Sequence, residues 1–152
     1  MPRPCSVPRD TTPPVAPHPA AKMPLNRADL AVELGFLIAD GFLVVQAGEL
    51  GKVEDLAADL TRYGKALGAG ERVNRHAASL LESARKQDVA TLKKELANTQ
   101  KDVELELVTL RDADLAHLIS MGGWIRALQV SSDAVSVQFS ETRAKEIMRE
   151  DI

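Results

Sequence analysis

The sequence predicts an all-α fold: a compact antiparallel bundle of about five to six helices that follows a disordered proline-rich tail. Three observations support this prediction. After residue 26, apolar residues recur at steps of three and four along most of the chain, which is the period of an amphipathic helix. Aromatic residues make up only 3% of the chain, so the core has to be built from aliphatic side chains. All eight prolines lie between Pro2 and Pro24, so the strongest helix breaker is absent from the rest.

The proline distribution divides the chain into a disordered tail or linker, residues 1–25, and a helical bundle domain, residues 26–152. A proline-rich segment samples extended conformations and serves as a spacer. Two interpretations of the tail remain open: a disordered terminus, or a tether to a bacterial envelope. Because Met1-Pro2-Arg3-Pro4 is not a lipoprotein signal, the tether requires a missing upstream segment. A periplasmic or envelope location would follow in that case, and a cytoplasmic one otherwise. Cys5 is the single cysteine, which excludes an intramolecular disulfide.

The first helix is predicted to begin after an Asn26 cap and to run to about Ala47. Its interior glycines each cost about 1 kcal/mol relative to alanine. Either the close approach of another helix offsets that cost, or the helix kinks near Asp40-Gly41. The second helix is predicted over residues 52–67, and Gly68-Ala69-Gly70 ends it.

The third helix is predicted over residues 71–86, and Asp88 is the expected cap of the fourth. Leu105 and Val108 broaden the apolar face of the fourth helix, so its second half should be the more buried one. Asp112 is a plausible cap for a fifth helix. The apolar residues expected to point inward from that helix are Leu115, Leu118, Ile119, Ile125 and Leu128.

The C-terminal segment is less regular. Ser131-Ser132-Asp133 is expected to break or cap the fifth helix. Val135, Val137 and Phe139 alternate as in a strand, but a lone strand has no pairing partner, so a helix is predicted here.

A faint internal repeat of about 36 residues relates the second helix to the fourth. Ala47, Val53 and Leu56 correspond to Ala84, Val89 and Leu92. Two stacked helical hairpins followed by C-terminal helices would give this pattern. A helical-repeat solenoid is the alternative, since tetratricopeptide-like repeats have a similar period, but most of the large residues of that repeat are missing.

Charge and hydropathy limit the partners and the location that the chain is expected to have. The net charge is −3, and the first 27 residues carry +3, so the remaining chain carries −6. An acidic body with few aromatic rings is a poor surface for nucleic acid, so none is expected as a partner. The most apolar stretch, residues 34–47, is too short to cross a bilayer and contains Asp40, so the chain is not expected to be transmembrane.

No arrangement of residues predicts catalysis, a metal or a cofactor. Asp114 and His117 share one helix face, but a di-iron bundle needs Glu-x-x-His on two helices, and Val73 stands three residues before His76. No serine lies in a Gly-x-Ser-x-Gly context, and no glycine-rich phosphate loop follows a strand. The chain is therefore expected not to be an enzyme.

The candidate binding residues are Gly122, Gly123, Trp124, Arg126, Asp40 and His117. Two adjacent glycines weaken a helix by about 2 kcal/mol, so some contact should offset them. In one interpretation they admit a neighbouring helix and Trp124 fills the core. In the other, a pocket or groove lies beside Trp124, with Arg126 available to an anion. Asp40 is isolated among apolar residues, so we also expect it to pair with Arg126.

These observations favour a non-enzymatic module that binds a protein partner or self-associates. The alternative is a small-ligand-binding bundle with an apolar pocket near Trp124. An interaction module should expose an apolar stripe larger than a few hundred Å², whereas a ligand binder should enclose a cavity with one or two polar groups.

Overall fold

The computed structural model describes residues 22–137, which form five α-helices and, within that range, no strand. The helices are α1 (Arg27–Gln46), α2 (Val53–Leu67), α3 (Gly70–Arg85), α4 (Val89–Thr109) and α5 (Ala113–Val137), and a short 3-10 turn (Leu50–Lys52) precedes α2. The predicted all-α fold is thereby confirmed. The tail was predicted over residues 1–25, of which residues 1–21 lie outside the described residues.

The helix ends lie where the capping residues predict them. The Asn26 side chain accepts a hydrogen bond from the Ala28 N–H, 2.8 Å, at the start of α1. The Asp88 carboxylate accepts one from the Thr91 N–H, 3.1 Å, at the start of α4. Gly68 ends α2 with a φ of 90°, in the left-handed region that a residue with a Cβ avoids. These side chains and the glycine satisfy backbone groups that the helix itself leaves unpaired.

Consecutive helices run antiparallel, while α1 and α5 run in the same direction. Arg27 near the start of α1 binds Asp112 just before α5, with 2.7 Å between nitrogen and oxygen. Farther along both helices, Asp40 binds Arg126. The last helix therefore packs directly on the first, and α1 also packs on α4. Hairpins stacked in a solenoid contact only their neighbours, so this contact favours the compact bundle over the solenoid.

Helix α1 forms the centre of the bundle because it packs against α2, α4 and α5. Gly41 lies where three helices meet: a Cβ added there would come within 2.9 Å of both the Leu56 and the Leu96 side chains. Helix α1 continues through Asp40-Gly41, and the close approach of these two side chains accounts for the glycine. Its buried residues are Leu30, Ala31, Leu34, Gly35, Ile38, Gly41 and Val45.

The predicted break at Ser131-Ser132-Asp133 is wrong, because α5 continues through these residues to Val137. Serine and aspartate are only moderately poor helix formers, and this segment contains neither glycine nor proline. Ser136 donates its hydroxyl hydrogen to the carbonyl of Asp133, 2.8 Å, within the helix. The predicted helical continuation is confirmed as far as Val137, and residues 138–152 lie outside the described residues.

The predicted burial of the second half of α4 is also wrong. Leu105 is 53% exposed and Val108 is 51% exposed. Val103 and Leu107 already occupy the inward positions of this half and are fully buried. Leu105 lies two residues from each of them, which turns it about 200° away on a helix.

Within the described part of the chain, no helix is both long enough and apolar enough to cross a bilayer.

Candidate functional site

Four of the six candidate residues lie where α5 crosses α1: Gly122, Gly123, Arg126 and Asp40. A Cβ added at Gly122 would come 2.3 Å from the carbonyl oxygen of Val32 in α1. A Cβ added at Gly35 would come 2.2 Å from the carbonyl oxygen of Ile119 in α5. Both distances are far below van der Waals contact, so each helix needs a glycine at this point. The prediction that a glycine admits the neighbouring helix is confirmed for Gly122, whereas a Cβ added at Gly123 would meet the Gly35 carbonyl oxygen at an ordinary 3.5 Å.

The same crossing brings Asp40 and Arg126 together, as the sequence analysis expected. The Arg126 Nε donates to the Asp40 Oδ1 at 2.6 Å, and its Nη1 donates to the Gln129 side chain at 2.9 Å. Arg126 is only 8% exposed. A buried charge needs a partner to offset its desolvation, so this ion pair holds α5 on α1. Because the pair occupies the guanidinium, the interpretation of Arg126 as an anion receptor loses its support.

The side of α5 that faces away from α1 is apolar. We define the α5 outer face as His117, Met121, Trp124, Ile125 and Leu128, which recur at steps of three and four and therefore share one side of the helix. All five are exposed: Trp124 by 63%, Met121 by 45%, Leu128 by 43% and Ile125 by 39%. Taking about 150–250 Å² for each large side chain, the four apolar residues expose on the order of 300–400 Å².

The burial expected for Ile125 and Leu128, and the interpretation of Trp124 as core filling, are wrong. Gly122 faces α1, and Trp124 lies two residues farther along, about 200° around the helix. The glycines thus place α1 against one side of α5 and turn the tryptophan to the opposite side. Among the described residues, the ring lies on an open surface and not in an enclosed pocket.

The outer face also carries almost no charge. Between Asp114 and Asp133, Arg126 is the one lysine, arginine, aspartate or glutamate in the sequence, and it is buried against α1. Depletion of charged residues with enrichment of tryptophan and methionine is typical of the central part of protein interfaces. The α5 outer face therefore has the composition of an interface core.

His117 lies at the N-terminal end of the outer face, one turn after Asp114, and both are exposed. Over residues 22–137, no group of three or more histidine, cysteine, aspartate or glutamate residues is arranged to hold a metal ion. In this setting His117 contributes a polar edge to the apolar face.

A second polar contact, at His76, was missed by the sequence analysis. Its Nδ1 lies 3.0 Å from the Glu95 carboxylate and its Nε2 lies 2.8 Å from the Asp102 carboxylate, so this ring on α3 is held between two acids of α4. Glu95 and Asp102 are seven residues apart, which places them on one helix face, and this spacing was the available signal.

A shallow polar depression of about 680 Å³ lies at the turn between α2 and α3. Its lining includes Lys65, Arg72, Arg75 and Glu106, and none of the α5 outer face. Arg72 is already bound to Glu106, with 2.6 Å between Nε and the carboxylate. Among the described residues, every buried side-chain nitrogen and oxygen has a hydrogen-bond partner. The mainly polar lining of the depression differs from the apolar lining that a small-ligand pocket offers.

Comparisons with protein-family models, with curated proteins and with solved structures find no match to this chain.

Proposed function

We propose that this chain is a non-enzymatic protein-interaction module that binds another polypeptide through the α5 outer face. The observation that carries the proposal is a continuous, nearly uncharged apolar stripe with Trp124 at its middle, 63% exposed. The largest apolar patch of a monomeric protein is often functional at this size.

The construction of α5 supports an interface at this position. Its inner side is held on α1 by close packing at Gly35 and Gly122 and by the Asp40–Arg126 ion pair. The outer face is therefore presented on a rigidly held helix. A rigid surface loses little conformational entropy on binding, which favours affinity. Tryptophan is among the residues most enriched at binding hot spots, and the three aliphatic neighbours would exclude water around it.

The competing small-ligand function predicts an enclosed apolar pocket near Trp124. The exposure of that ring favours a broad contact with another chain over an enclosed pocket.

Photo-crosslinking in the native cell tests the proposal. A benzophenone amino acid replaces Leu128 on the outer face, and the control carries it at Leu105, which is apolar and similarly exposed on α4. We expect a discrete crosslinked protein at position 128 and not at position 105. Wild-type chain without the benzophenone should compete for the partner and reduce the crosslink, whereas the Trp124→Asp variant should not. Equal crosslinking at both positions, or none at 128, would overturn the proposal.

A further inference from the structure

We propose that the partner of the α5 outer face is a second copy of this chain, packed as an antiparallel two-fold dimer of α5 helices. This inference depends on the proposed function, since it identifies the occupant of the same surface.

The spacing of the apolar residues is self-complementary. In an antiparallel helix pair centred between residues 124 and 125, Trp124 lies opposite Ile125 of the other copy, and Met121 lies opposite Leu128. A two-fold interface needs one patch that matches itself. The Trp124–Ile125 contact therefore occurs twice at the centre of the pair, and the Met121–Leu128 contact occurs once on each side of the centre. Alternation of larger and smaller apolar residues across a seam is how helices interdigitate.

The charge on the face selects the antiparallel orientation. Along the side of α5 that contains the outer face, Asp114 is the one formally charged residue. A parallel two-fold pair would place the two Asp114 carboxylates beside each other, and like charges repel. In the antiparallel pair Asp114 lies opposite Val135 of the other copy. The two carboxylates are then about 31 Å apart along the helices, at 1.5 Å per residue, which is well beyond the screening length of about 8 Å.

The area of the face predicts a reversible dimer. Two copies would bury on the order of 700 Å² of apolar side chain. The polar rim, which includes Ser120, Gln129 and Ser132, would raise the total towards the lower limit of about 1,200 Å² for a specific interface. Interfaces of that size give weak complexes, so we expect a dissociation constant of roughly 1–100 μM.

Sedimentation equilibrium of the purified full chain is the first test. We expect a monomer–dimer equilibrium that Leu128→Glu abolishes and that Trp124→Ala weakens roughly 700-fold, because the two-fold dimer loses two hot spots of about 2 kcal/mol each. Leu105→Glu is the matched control and should leave dimerisation unchanged. Circular dichroism checks that each variant keeps its helix content. A dimer that persists in Leu128→Glu would overturn the inference.

Directed disulfides test the orientation, in a background where Cys5 is replaced by serine. A mixture of Met121→Cys and Leu128→Cys chains, one with a larger tag, should oxidise mainly to the mixed dimer. Equal residues would lie about 10 Å apart along the antiparallel pair, too far for a disulfide. Predominant disulfides between equal residues, 121–121 and 128–128, would overturn the antiparallel orientation.

These results also separate this inference from the proposed function. A monomer at all concentrations, with specific photo-crosslinking of a different protein at position 128, would overturn the dimer and keep the interaction module. A monomer with no crosslinking at position 128 would overturn both.

Discussion

Helices α1 and α5 are both apolar on almost all sides, and both carry a glycine where they cross. Helix α1 packs against α2, α4 and α5, whereas α5 packs against α1 and α4. The apolar residues of α1 are therefore covered, while those on the outer side of α5 are exposed. An apolar composition indicates how much surface a helix can bury. It does not indicate how many neighbours the fold supplies, and the uncovered remainder on α5 is the surface where we propose that another chain binds.

The largest expected effect comes from breaking the contact between the two helices. Gly122→Leu would place a side chain against the backbone of Val32, which cannot move aside as a flexible side chain can. We expect a loss of at least about 3 kcal/mol in the free energy of unfolding, measured by urea denaturation. Gly51→Ala, at a glycine with open space around it, is the control and should change stability by less than about 0.5 kcal/mol. Similar losses in both variants would contradict the close crossing.

Truncating one leucine on each helix tests the comparison directly. Leu34→Ala, on α1, would leave a cavity in a fully buried site and should cost about 3 kcal/mol. Leu128→Ala, on the outer face of α5, should cost less than about 1 kcal/mol, because the side chain is 43% exposed. Urea denaturation at a protein concentration below that of dimerisation measures both. A large loss for Leu128→Ala under those conditions would show that the face is covered within one chain.

The ion pair at the crossing should behave as a coupled unit. Arg126→Gln or Asp40→Asn alone leaves one nearly buried charge without its partner, and should cost about 3 kcal/mol. The double variant should lose less than the sum of the two single losses, by about 1 kcal/mol or more. Additive losses would mean that the two side chains do not interact in solution.

The smallest effect concerns the cap of α4, the helix that packs on both α1 and α5. The Thr91 hydroxyl, and then the Thr91 N–H, donate to the Asp88 carboxylate and lower the pKa of Asp88 below its ordinary value. Because the pKa is lower in the folded chain, the cap stabilises the fold above the unfolded pKa of about 3.9. That contribution is lost as the pH falls through the folded pKa.

NMR titration of the Asp88 carboxyl carbon should show this lowered pKa. The Asp88→Asn variant keeps a side-chain oxygen that can accept the cap hydrogen bond but has no carboxyl group to titrate, so it should remove this part of the acid sensitivity. An Asp88 pKa at or above its ordinary value would contradict the cap geometry.

Local chemistry made much of the fold predictable. Asn26, Asp88 and Gly68 act within one turn of the chain, so their roles can be inferred without knowing the tertiary structure. The Asp40–Arg126 contact was predictable for a different reason: both charges are isolated in apolar helices, and a buried charge requires a partner.

The outer face of α5 was not predictable in the same way. Helical periodicity places Trp124 and Leu128 on one side, but in a helix that is apolar all round it cannot say which side meets α1. The Gly122–Val32 approach decides that, and it is a property of the packed structure. His76 was missed because its acids, Glu95 and Asp102, belong to another helix.

Trp124 is the single tryptophan of the chain, so its fluorescence reports directly on the outer face. The most direct test is acrylamide quenching of this residue across a range of protein concentrations. We predict that Trp124 is readily quenched at high dilution and becomes protected, with a blue-shifted emission, as the concentration rises through the dimerisation range. The Leu128→Glu variant should stay accessible throughout. A tryptophan already protected at the lowest concentration, or equally accessible at every concentration, would contradict a dimer formed through the α5 outer face.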